Sequence, residues 1–298
     1  MILGCMRLGG TDEAAQARAF AAFDAALETG ITMFDHADIY GEGQPERHFG
    51  EWLRQRPGIR ERITIQTKCG IRPGLYDFSP EHIEKAVTGC LERMGIDMID
   101  LLLLHRPDPL MEPHQVGSCL NTLHESGLVG AFGVSNMNAA QIRLLQHFLS
   151  TPLRVNQLEL SLAKLDWLNE GIHVNQAAGR NVHFADGVIE YCQLHDIQLQ
   201  AWAPLAYGWF SGQPPEHPSP AWQATAQRVE EMAAAKSTSR EAIVLGWLMR
   251  HPAAIQPVIG TTHPDRIRAC GPAAEVAAAM TREDWYSLFI AARGEALP

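Results

Sequence analysis

The stretch "MIDLLLLH" (98–105) is apolar from Ile99 to Leu104 except for one aspartate, with no alternation of polar and apolar residues. A strand this uniformly apolar is buried on both faces, the condition of a parallel sheet covered by helices. Six further short runs are rich in Ile, Leu, Val or Phe: "ITMFD" (31–35), "RITIQTK" (62–68), "LVGAFGVS" (128–135), "LRVNQLEL" (153–160), "DIQLQAWA" (196–203) and "AIQPVIG" (254–260). With "MILGCM" (1–6) they make eight strands.

Amphipathic helices separate them. Ser79 is an N-cap with Pro80 at the first helical position, and Ile83, Ala86, Val87, Cys90, Leu91 and Met94 form one apolar stripe that stops at Gly95. Phe20, Phe23 and Leu27 do the same before Gly30; Ser239 and Thr281 open two later helices. Eight βα units in 298 residues predict a single-domain closed (β/α)8 barrel of the TIM type. Two segments, 161–187 and 210–220, read as long irregular loops and hence as pocket walls.

Composition narrows the function classes. Hydrophobic residues make up 46% and charged residues 19%, an ordinary globular balance, and no run approaches the roughly 18 apolar residues of a membrane span. Net charge is -10 with no long basic run, so neither nucleic acid nor membrane is expected as a partner. The start "MILGCMRLGG" has no basic leader, and a cytoplasmic protein with reduced, buried cysteines is expected. No paired cysteines or helical His pair suggest a metal, and no exposed heptad argues against a monomer.

In a (β/α)8 barrel the active site lies at the C-terminal ends of the strands. Asp35, Lys68 and His105 end the second, third and fourth strands, and Tyr40 follows on the loop after the second. These four suit proton transfer: an ammonium beside a phenol favours the phenolate, the aspartate would hold the lysine, and the histidine would donate to a substrate oxygen.

These residues and their surroundings resemble the aldo-keto reductase family, and within it the YdhF-like bacterial oxidoreductases. The resemblance rests on "DHADIYG" (35–41), "IQTKCG" (65–70), "LLLLHRPDP" (101–109), "GVSNM" (133–137), "VNQLELS" (155–161) and "AWAPL" (201–205), in family order along nearly the whole chain. It implies Tyr40 as general acid, Lys68 and Asp35 as its tuning pair, and His105 orienting the carbonyl. It further implies Ser135, Asn136 and Gln157 at the nicotinamide carboxamide, with Trp202 stacked on the ring and Leu205 as a further cofactor contact. The bland readings stay open at this stage: Ser135 and Asn136 as caps of a helix starting near Ala139, Gln157 as a barrel-interior polar residue, and Trp202 as core.

The resemblance implies NADPH, with NADH as the alternative. Relatives often carry "PKSxxxxR" where this chain has "VIGTTHPDRI" (258–267): Gly260 replaces the lysine, Thr261 takes the serine position and Arg266 is retained, with Thr261, His263 and Arg268 as candidate helpers at the 2′-phosphate. An N-terminal hairpin is expected to be absent or minimal, and Trp209, Phe210 and the 210–220 loop are expected to wall an open pocket. The activity implied is reduction of a small-molecule aldehyde or ketone to an alcohol. Two other classes are carried beside it: a nicotinamide-binding regulatory subunit with vestigial turnover, and an unrelated barrel enzyme such as a phosphate-sugar isomerase.

Overall fold

Short apolar runs flanked by helices can bury both faces only by closing on themselves or by being covered twice, and this chain does both. The computed structural model describes residues 1–298. The strands are β1 (Ile2–Gly4), β2 (Met33–Asp35), β3 (Thr64–Cys69), β4 (Ile99–Leu104), β5 (Val129–Ser135), β6 (Leu153–Glu159), β7 (Gln198–Trp202) and β8 (Gln256–Ile259). Each pairs in parallel with the next, and β8 pairs with β1 to close the barrel, the expected (β/α)8 topology. The one hairpin, Ile71–Arg72 with Leu75–Tyr76, follows β3.

Side chains alternate along each strand. Phe34, Leu102, Leu104, Phe132 and Val134 face the helices, in the main core of 69 residues. Leu101, Leu103 and Val155, with Met33 and Ala131, form a separate small cluster inside the barrel. That interior is tight: a Cβ at Gly133 would stand 2.9 Å from the Val155 carbonyl oxygen, so glycine lets β5 approach β6.

The helix ends follow the residues expected to set them. Ser79 accepts from the His82 N–H, Gly95 closes the helix Pro80–Met94 in the left-handed region, and Ser239 accepts from the Ala242 N–H at 3.0 Å. Thr281 and Asp284 form a reciprocal capping box on the helix Arg282–Arg293. That last helix is latched to the helix Arg240–Met249 by two indoles: Trp247 Nε1 donates to the Trp285 carbonyl at 3.2 Å, Trp285 Nε1 returns the bond to the Trp247 carbonyl at 3.0 Å, and the rings stack at 5.2 Å. All six cysteines are buried and free.

One expected loop is partly ordered structure. Residues 161–187 include the helix Asp166–Ile172 and a 3-10 turn over Ala177–Asn181, with Trp167 buried against Trp247. Seven residues are too few to show a helical stripe. The 210–220 stretch is irregular up to Ser219, which caps the helix Pro220–Ala235.

Candidate active site

Lys68 is wholly buried and its ammonium has four neighbours: both Asp35 carboxylate oxygens at 2.6 Å, the His36 carbonyl at 3.0 Å and the Tyr40 hydroxyl at 3.3 Å. Adjacent strand ends bring this about. Asp35 closes β2 and pairs in register with Gln66, two residues before Lys68 on β3, so Gln66 and Lys68 point inward beside it. The loop between Asp35 and Tyr40 is held against β3 by His36 N–H to the Gln66 carbonyl at 2.8 Å and Asp38 N–H to the Lys68 carbonyl at 3.0 Å. Left-handed Gly41 and Gly43 then turn the chain into the helix Gln44–Arg54.

Beneath the ion pair lies a layer of three buried glutamines. Gln66 and Gln200 exchange amide hydrogen bonds, both at 2.9 Å, Gln157 donates to Gln200 at 2.9 Å, and Gln66 and Gln157 also donate to Asp35. The Asp35 carboxylate is thus fixed from β2, β3 and β6, which makes a buried charge tolerable.

The His105 ring meets the Tyr40 ring edge-on, with centroids 5.7 Å apart. Neither of its nitrogens has a protein hydrogen bond, and Nδ1 is buried. Burial, reinforced by the charges of Lys68 and Arg106, pushes its pKa down to about 3, so the imidazole is neutral at ordinary pH and has one N–H to offer. Burial works to lower Lys68, but Asp35 and Tyr40 outweigh it and the net shift is upward. The expected lowering of Tyr40 is not what the site produces: burial raises the phenol above its usual value, Lys68 opposes that rise, and Asp35 works against Lys68.

A cleft of about 680 Å³ opens over the barrel mouth. Of the sequence-predicted residues, Asp35, Tyr40, His105, Ser135, Asn136, Gln157, Trp202, Leu205, Gly260, Thr261 and Arg266 line it; Lys68 stands behind Tyr40. Ser135 donates to the Gln157 carbonyl at 2.9 Å and accepts from Asn136 at 2.8 Å, while Trp202 Nε1 donates to Asn136 Oδ1 at 3.1 Å. Asn136, held at φ 58, keeps one further N–H and one lone pair. Neither Ser135 nor Asn136 caps the following helix, Ala139–Gln146: Asn138 and Gln141 do.

At the far end Arg266 bonds the Ser211 hydroxyl at 3.1 Å and pairs with Glu241 at 3.4 Å, and Gly208 gives it room, since a Cβ there would meet its guanidinium at 2.9 Å. His263 also lines the cleft; Arg268 does not, being held outside by Glu28 and Asp265. Two expected walls are also elsewhere. Phe210 is buried and stacks on Trp222, and Trp209 packs on the core. The aromatic that reaches the cleft is Tyr207, whose φ of 61 turns it outward. Sequence reading missed Tyr207, Gln66 and Gln200, and also Met6, Arg7, Ile39, Ile71 and Arg106 on the rim; the polar residue two before Lys68 was the available signal for Gln66.

No group of three or more His, Cys, Asp or Glu side chains is placed to hold a metal, and no helix is long and apolar enough to cross a membrane. A protein of Agrobacterium fabrum named 6-dehydroglucose reductase is 35% identical over 99% of this chain and 94% of its own length. The Escherichia coli oxidoreductase YdhF is 35% identical over 91% of this chain and 86% of its own. A glycerol dehydrogenase structure from Gluconobacter oxydans superposes with a TM-score of 0.82 at 20% identity, covering all of this chain and 92% of that one. A sequence model described as the aldo/keto reductase family matches residues 1–286, and the chain belongs to that family.

Proposed function

We propose that this protein is a cytoplasmic, NADPH-dependent reductase of small aldehydes or ketones. The observation that carries the reading is the buried Lys68 ammonium joining the Asp35 carboxylate to the Tyr40 hydroxyl at the wall of a cleft faced by His105. The cofactor fits the residues present: the cleft is of dinucleotide-binding size, Trp202 offers a flat face, Asn136 has an unused amide donor and acceptor, and Arg266 offers a cation at the far end. Ser135, Asn136, Gln157 and Trp202 would hold the nicotinamide end, and Leu205, Gly260, Thr261 and Arg266 the adenosine-phosphate end; with glycine at 260, NADH is the alternative. When bound, NADPH supplies the hydride.

In this reading Tyr40 carries the proton given to the carbonyl oxygen. A phenol raised by burial holds that proton firmly at rest, and Lys68 stabilises the phenolate as it leaves. Neutral His105 donates to the same oxygen and sets its position. Two relatives, 35% and 36% identical, are named 6-dehydroglucose reductases, which places sugar aldehydes among the first substrates to try.

The test is a tryptophan-fluorescence titration with NADPH and NADH, followed by an aldehyde and ketone screen. NADPH-selective binding with steady-state carbonyl reduction is expected. Folded protein that binds neither nucleotide would overturn the reading, and slow single-turnover oxidation without a steady state would favour a regulatory role instead.

A further inference from the structure

Two arginines on the rim have no hydrogen-bond or ion-pair partner. Arg106 follows His105 at the end of β4, is half-buried, and makes no side-chain hydrogen bond or ion pair; its guanidinium lies 5.8 Å over the Trp202 ring, across the mouth of the barrel. Arg7, on the loop after β1, is exposed, lines the same cleft and is equally unpaired. The two strands that carry them flank β2 and β3, which hold Asp35, Tyr40 and Lys68.

A half-buried cation gives up hydration and normally recovers it from a carboxylate. Here none is free: Asp35 is the one carboxylate lining the cleft and is taken by Lys68. Arg266, the third arginine of the cleft, is already paired with Glu241, so the uncompensated positive charge is gathered at the Tyr40 and His105 end. On a chain of net charge -10 this is a local reversal of sign, of the kind that draws in an anion. Met6, Ile39 and Ile71 supply apolar surface on the same rim.

From this arrangement, and resting on the reductase reading above, we infer that the substrate is a carbonyl compound bearing an anionic group, held by Arg106 and Arg7 while its carbonyl meets Tyr40 and His105. Carboxylate and phosphate share the required chemistry, and a planar guanidinium pairs with either. Arg106 is the principal contact because it is partly desolvated and next to His105; Arg7 contributes attraction from the rim.

The test compares matched pairs of substrates: 4-carboxybenzaldehyde with benzaldehyde, and glyceraldehyde 3-phosphate with glyceraldehyde. The wild-type enzyme is expected to favour at least one anionic member by about tenfold or more in kcat/KM, and the pair that shows it identifies the anion. R106Q should erase roughly 10- to 100-fold of that preference, chiefly through KM, and R106K should restore part of it. No preference in the wild type, or equal losses on both members in R106Q, overturns the inference. So does a rise in the NADPH Kd that accounts for the whole loss, since Arg106 would then serve the cofactor. Calorimetry with 4-carboxybenzyl alcohol and benzyl alcohol, with and without NADP+, separates this inference from the reductase reading. Carboxylate-dependent binding lost in R106Q upholds the anion site even without turnover, and equal binding of the two alcohols together with no preference for glyceraldehyde 3-phosphate rejects it.

Discussion

Gln66 and Gln200 face each other across the barrel interior and exchange two amide hydrogen bonds of 2.9 Å, with Gln66 also donating to Asp35. The acid–base pair of the site therefore rests on a buried polar floor spanning β3 and β7. Gln200→Leu removes one side of that floor and leaves the Gln66 and Gln157 amides short of a partner. We expect a loss of about 1–3 kcal/mol in urea unfolding, with a lower kcat as Asp35 loses its fixed position. Unchanged stability would mean that water replaces the lost partner.

Tyr40→Phe deletes one hydroxyl and keeps the ring beside His105. Carbonyl reduction should fall by about 10²- to 10⁴-fold, while NADPH affinity measured by fluorescence stays within a factor of a few. A parallel loss of nucleotide binding would count against Tyr40 as the proton donor.

Lys68→Met leaves the Asp35 carboxylate buried without its counter-ion. Breaking such a pair costs about 3–5 kcal/mol, and turnover should vanish. Asp35→Asn in the same chain should recover part of the stability and none of the activity, as denaturant melts and steady-state assays would show.

Asp38 is a pH-dependent liability. Burial, reinforced by Glu46, raises its carboxyl from 3.8 to about 6, and its Oδ1 has no hydrogen-bond partner. Between those values the folded protein holds a proton that the unfolded chain has lost, so this group lowers stability as pH rises and does so fully above pH 6. Asp38→Asn should accordingly raise stability by about 1–3 kcal/mol at pH 8 and by almost nothing below pH 4. An identical gain at both pH values would place the effect elsewhere.

The barrel was legible because its strands are buried on both faces and so stand out as short runs rich in Ile, Leu, Val or Phe between amphipathic helices. Asp35, Lys68 and His105 were legible as polar interruptions at the ends of such runs. Gln66 and Gln200 share the same inward rows, but a glutamine inside a strand carries no mark of what lies opposite, and their pairing needs the barrel to close. In "YGWF" (207–210) composition reveals three aromatics without their directions; the left-handed turn at Tyr207 sends that ring to the cleft and the next two to the core. The sign of the Tyr40 shift was likewise hidden, because it depends on how deeply the ring is buried and on how far Asp35 cancels Lys68.

The interlocked indoles of Trp247 and Trp285 have a practical consequence. They belong to the core with Trp52 and Trp167, whereas Trp202 is the one tryptophan of seven that lines the cleft, so occupancy and folding are reported by different indoles. Ligand binding should quench chiefly Trp202, and denaturation should change the signal of the buried indoles, the stacked pair among them as the last helix detaches. Trp202→Phe would then silence the first channel and leave the second readable, allowing occupancy and folding to be followed independently in one cuvette.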